Sequence, residues 1–160
     1  QAVAERLETE LDVFGAESPR GLLKRIVEHL GFWGFVADRQ ERARVEMTAS
    51  WFDGILRLEE SGEDVIRIWW QQNVCTDEPE RLKTSLAEKS DRWSPPVTVS
   101  VELGKLVSVA TSYLGEYDQL RFANALVPLF NAVNNVKLLL KHWLVLPPED
   151  DLGQEPRMAS

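Results

Sequence analysis

The sequence predicts an α+β fold: an antiparallel sheet of about five strands with helices on one face, in the order α-βββ-α-ββ-α after a short N-terminal helix. Three observations predict it. Apolar residues recur at helical spacing near both ends of the chain, and between them alternation with a two-residue period marks strands. Within each strand group the connections are too short for parallel crossovers, so the strands pair antiparallel.

Residues 2–14 place Val3, Leu7, Leu11 and Phe14 on one side of a short acidic helix that Gly15 ends. Ser18 and Pro19 look like a helix cap and first turn, Leu22, Leu23, Ile26, Val27 and Leu30 continue at helical spacing, and Gly31 closes the helix. The period then changes. Val45, Met47, Ala49 and Trp51 alternate with polar residues, Asp53-Gly54 supplies a hairpin turn, and strands over 55–59 and 64–72 complete a three-stranded meander. Thr76, Asp77 and Pro79 start a polar surface helix anchored by Leu82 and Leu86. Val97, Val99, Val101 and Leu103 form the cleanest strand, turned by Gly104-Lys105 into a fifth strand over 106–114.

The longest signal follows Gly115 and Asp118. Phe122, Leu126, Leu129, Val133, Val136, Leu140 and Trp143 form one helical stripe, widened by Ala123, Val127, Phe130 and Leu144 as a sheet-packed helix requires. Pro128 removes one backbone donor there, so a kink or restart is expected near residue 124. The domain therefore spans residues 18–145, between an acidic N-terminal helix (1–17) and a mobile acidic tail (146–160).

Net charge is −8, and the flanks hold most of it. Residues 1–17 carry five acids and one base, residues 146–160 four acids and one base, which leaves 17 acids against 16 bases between them. No lysine- and arginine-rich face is present, which argues against nucleic acid. No run is long and apolar enough for a membrane span. A single cysteine, Cys75, forms no intrachain disulfide and points to a reducing compartment, cytoplasm or plastid stroma. It sits beside Asp77 and Glu78, an acidic setting ill suited to a reactive nucleophile. His29 and His142 lack partners at ligand spacing, so neither a metal nor a cofactor is expected. His29 is most simply a positive charge against the C-terminal end of its helix, and His142 has the same explanation. No nucleotide loop, serine elbow or metalloprotease motif occurs, and no catalytic residue is assigned.

The segments LLKRIVEHLGF (22–32), DVIRIWWQQN (64–73), SDRW (90–93) and VTVSVELGKLVSVATSYL (97–114) together resemble the type III secretion chaperone-like fold and, within it, YbjN-like domains. That resemblance covers about residues 18–145. It implies a non-enzymatic domain that dimerises and binds other polypeptides as a chaperone or assembly factor. The chain departs from secretion chaperones in carrying its acidity in the flanks and not across the domain.

Adjacent strand residues point to opposite faces. If Ile66, Ile68 and Trp70 face the helices, then Trp69 with Val65 and Arg67 faces away, joined by Ile55 from the neighbouring strand. Exposed tryptophan beside arginine is interface composition, so Trp69, Ile55, Val65 and Arg67 are the expected partner-binding residues. The alternative is that the N-terminal helix folds back over them. Two functions are expected: a protein-binding assembly factor, chaperone or accessory subunit, or a small-ligand or sensory domain with Trp33, Phe35 and Trp51 lining a pocket.

Overall fold

The computed structural model describes residues 18–90, 93, 96–141 and 143–145. The expected N-terminal helix, the acidic tail and His142 lie outside them. The elements are α1 (Gly21–Phe32), β1 (Val36–Gln40), β2 (Arg44–Ala49), β3 (Phe52–Glu60), β4 (Val65–Cys75), α2 (Pro79–Glu88), β5 (Thr98–Glu102), β6 (Leu106–Leu114), α3 (Gln119–Leu140) and β7 (Leu144–Val145). The fold is α+β, with strand order β1-β2-β3-β4-β6-β5 and β7 paired to the end of β4. The β1–β2, β2–β3 and β5–β6 ladders are antiparallel. Strand β6 also runs against β4. The Gly115 N–H donates to the Asp64 carbonyl at 2.9 Å and the Val74 N–H to that of Lys105 at 2.8 Å. Both pairs of residue numbers add to the same value, as antiparallel pairing demands.

Helix α1 corrects the expected boundaries. Ser18 does not cap it: the residue before the first turn is Arg20, with no side-chain cap, and the Ser18 hydroxyl accepts from Gln40 Nε2 at 3.5 Å instead. Nor does Gly31 end it. The Phe35 N–H reaches the Leu30 carbonyl (3.1 Å) and the Gly34 N–H reaches Gly31 (3.1 Å), the paired bonds of a Schellman stop in which Gly34 takes the left-handed position at φ +97°. This stop brings Phe35 back toward the helix it has just left.

The first hairpin is also shifted. Ala49 pairs with Phe52, so the two-residue turn is Ser50-Trp51, and Gly54 lies inside β3 at φ +110°. The Asp53-Gly54 signal lost to tertiary packing, because Trp51 outside the ladder packs edge-to-face against Phe35 at 5.1 Å. Strand β1 is additional to the expected meander. Its VADRQ run carries no alternation because it is an edge strand with nearly every residue exposed. A register shift between Ala37 and Arg39 bulges it at Asp38, which blunts the edge. Helix α2 begins at Pro79 as expected, with the Glu78 N–H donating to Thr76 Oγ1 at 2.9 Å. Helix α3 runs unbroken through Pro128, so the expected restart does not occur.

Packing divides the chain into two compact units, one of residues up to Ile68 with Ser112–Ala123, the other of Trp69–Thr111 with the residues from Asn124 on. In the first, Leu23, Ile26 and Leu30 of α1 are buried, as are Val45, Met47, Leu56, Leu58, Ile66 and Ile68 of the strands and Phe122 of α3. In the second, Trp70, Val74, Val107 and Val109 are buried with Leu82 of α2 and Leu126, Leu129, Val133, Val136 and Leu140 of α3. Lys137 Nζ lies 5.7 Å from the centre of the Trp70 ring. Each such aliphatic side chain stabilises its unit by roughly 1.5–3 kcal/mol.

Two backbone positions give testable changes of opposite sign. At Gly34 the positive φ strains any L residue, and an added Cβ would meet Trp51 Nε1 at 3.4 Å. Gly34→Ala is therefore expected to cost about 1 kcal/mol or more. Leu103 holds φ +55° at the exposed tip of the β5–β6 hairpin, where Leu103→Asn should recover a few tenths to about 1 kcal/mol of left-handed strain. Urea denaturation of the two variants checks both.

Candidate functional site

The site of interest lies in the first unit and starts from the loop between β6 and α3. Asp118 Oδ2 accepts the Arg121 N–H at 2.8 Å, which caps α3. Tyr113 Oη accepts the Asp118 N–H at 2.9 Å and donates to the Glu116 carbonyl at 3.1 Å. Arg121 lies 4.2 Å over the Tyr113 ring, and its guanidinium donates to the carbonyls of Leu114 (2.7 Å) and Glu116. A loop with this many internal bonds holds Tyr117 in one place.

Tyr117 meets His29. Its hydroxyl and His29 Nδ1 share a hydrogen bond of 2.5 Å. The imidazole is caged edge-on by Trp33 (4.6 Å), Phe122 (4.9 Å) and Tyr117 (5.8 Å) and is only 6% exposed. Burial lowers the pKa of His29 below its ordinary 6.5 and raises that of Tyr117 above 10.0, the nearby Arg25 charge opposing the rise. Both groups are neutral at pH 7. His29 is thus not the charged partner of a helix dipole: its burial disfavours the imidazolium that such a role needs.

Beside this pair lies a cleft of about 260 Å³ lined by Arg25, Glu28, His29, Phe32, Trp33, Tyr117 and Gln119. The Arg25 guanidinium rests 4.8 Å over the Tyr117 ring. Beyond that contact, neither Arg25 nor Glu28 has a hydrogen-bond or ion-pair partner among the described residues. Arg25 and Tyr117 also border a shallower depression with Lys24, Asp64 and Glu116.

The C-terminal end of α1 adjoins an aromatic corner. Trp51 Nε1 donates to the Trp33 carbonyl at 2.7 Å, and Phe35, Trp51 and Phe52 pack on one another at 5.1–5.9 Å. Apolar surface remains outside: Phe32 is 89% exposed, Val36 63% and Trp51 54%. Of Trp33, Phe35 and Trp51, expected to line one pocket, only Trp33 lines this cleft, and Phe35 and Trp51 pack on each other instead.

The residues expected to bind a partner fare differently. Val65, Arg67 and Ile55 are half-buried. Trp69 is only 6% exposed, with Nε1 donating to Gln71 at 3.2 Å, so the exposed tryptophan on which that surface rested is corrected to a buried one. The same outer set of strand positions is drier elsewhere. Arg57 meets its cross-strand partner Glu46 at 2.8 Å with both side chains largely buried, and Arg57 Nε has no partner among the described residues. Among the described residues no group of acidic, histidine or cysteine side chains is placed to hold a metal, and no helix is long and apolar enough to cross a membrane. In the second unit a cleft of about 250 Å³ runs between α2 and the end of α3, with Arg81 5.4 Å over the Trp143 ring.

No family model, curated protein or solved structure matches the chain.

The His29 environment makes a pH prediction. Its folded pKa lies below the unfolded value of 6.5, so the unfolded chain takes up the proton first. The stability owed to a neutral His29 is then complete above pH 6.5 and is lost as pH falls through the folded pKa. Unfolding of the wild type and of His29→Gln followed between pH 7 and pH 5 should show the wild type losing more stability. An imidazole titration by NMR should give a midpoint below 6.5, and a midpoint above it contradicts the cage.

Proposed function

We propose that this chain is a non-enzymatic protein-binding module, an assembly factor, chaperone or accessory subunit, that engages its partner through the corner formed by Phe32, Val36 and Trp51. The observation that carries this reading is the exposure of those three side chains, Phe32 at the end of α1, Val36 at the start of the edge strand β1 and Trp51 in the β2–β3 turn. Clustered apolar surface of this kind, rich in aromatics, is interface composition. The bulge at Asp38 interrupts β1 after two residues, so the partner docks on side chains and does not extend the sheet along its full length. The resemblance to YbjN-like domains points the same way, and a second copy of the chain is one form the partner takes. The reading moves the interface from the Trp69 face to the end of α1.

A second reading, a small-ligand domain, is favoured by the His29–Tyr117 cleft, whose charged groups Arg25 and Glu28 have no hydrogen-bond or ion-pair partner among the described residues.

The double variant Phe32→Ser/Val36→Lys tests the first reading. Both side chains are mostly in solvent, so thermal stability should stay within about 0.5 kcal/mol of wild type. Proteins retained by the wild type in affinity capture from native extract should bind the variant at least about tenfold more weakly. Equal retention by a folded variant contradicts the proposed corner.

A further inference from the structure

We infer that the cleft beside His29 binds a small zwitterion with an apolar side chain, such as a free α-amino acid with an aromatic or aliphatic side chain. This rests on the ligand-binding reading of the cleft, which shares Phe32 with the docking corner. Arg25 and Glu28 stand three residues apart on α1, which makes them neighbours on the helix surface, with Cβ atoms about 5–6 Å apart. Opposite charges at that spacing ordinarily pair. Here the guanidinium is instead drawn over the Tyr117 ring at 4.8 Å, and Glu28 has no ion-pair partner among the described residues.

A guanidinium lying over an aromatic ring without a hydrogen-bonded partner still has N–H donors for a carboxylate. A carboxylate one turn away accepts from an ammonium. The two charges of an α-amino acid sit on one carbon and so match two opposite charges on neighbouring side chains. A simple anion would face Glu28 and a simple cation Arg25. One turn further along α1 the lining becomes apolar, with Phe32 and Trp33, so the charge order along the helix sets the ligand's direction: head at Arg25 and Glu28, side chain at Phe32 and Trp33. The volume of about 260 Å³ falls below the ~300–1,000 Å³ of drug-sized sites and suits one molecule of amino-acid size. Neutral His29 and Tyr117, fixed by their mutual hydrogen bond, form the wall without adding charge.

The test is a titration of the full chain with L-phenylalanine, N-acetyl-L-phenylalanine and L-phenylalanine amide, read by the NMR signals of the His29 ring and the Trp33 indole. L-phenylalanine should shift both signals and saturate with a dissociation constant of about 1 mM or tighter. The two blocked analogues, each lacking one charge, should bind at least about tenfold more weakly, as should L-phenylalanine to Arg25→Gln and to Glu28→Gln. Unchanged circular dichroism certifies the fold of both variants, which alter exposed side chains. Equal binding of either blocked analogue, or unchanged binding by either variant, overturns the zwitterion while leaving a ligand site. No response to any of the three compounds overturns the zwitterion and the ligand reading together.

Discussion

One buried ring organises the first unit. Phe122, fully buried in the first turn of α3, touches His29 at 4.9 Å, Tyr113 at 5.3 Å, Trp33 at 6.0 Å and Tyr117 at 6.4 Å. These four rings come from α1, the residue that follows it, β6 and the loop before α3. Edge-to-face and stacked geometries each add about 0.5–1.5 kcal/mol beyond the area they bury, but their larger effect is placement. Phe122 is itself placed by the Asp118 cap and by the Arg121 contacts that tie the loop together.

The exposed chemistry follows from that interior. Phe122 backs His29 and Trp33, so the cleft has a rigid wall. The Schellman stop at Gly34 then returns the chain so that Phe35 meets Trp51 while Phe32 and Val36 remain outside. The same few residues at the end of α1 therefore contribute both a recessed polar site and a projecting apolar one. A rigid base beneath an exposed aromatic lowers the entropy lost when a partner docks, which is the main cost of using such a side chain in recognition.

Much of the fold was legible because burial writes a period into the sequence. All six residues from Phe122 to Leu140 in the stripe of α3 are buried, and in β5 Val99 and Val101 are half-buried between exposed Thr98, Ser100 and Glu102. Where burial does not alternate, the sequence was silent: β1 is an exposed edge, and no period marks it. Two local signals were overruled, Asp53-Gly54 by the packing of Trp51 against Phe35 and Gly31 by a stronger local stop, the left-handed Gly34 three residues on. The site was the least legible part. His29 and Tyr117 are 88 residues apart, and nothing in either neighbourhood announces the other, although His29 and Trp33, four apart at the end of α1 and its cap, are one turn from each other. Trp69 misled because strand alternation fixes direction and not exposure: the residue is only 6% exposed.

The central claim is that Phe122 holds His29 in place, and a double-mutant cycle tests it most directly. Urea denaturation of Phe122→Leu, His29→Gln and the double variant at pH 7.5 gives the coupling between the two rings without reference to any partner or ligand. The account predicts that the single losses fail to add by about 0.5–1.5 kcal/mol. Losses that add within about 0.3 kcal/mol would mean that the two rings act independently, and that the cleft wall is not built on Phe122.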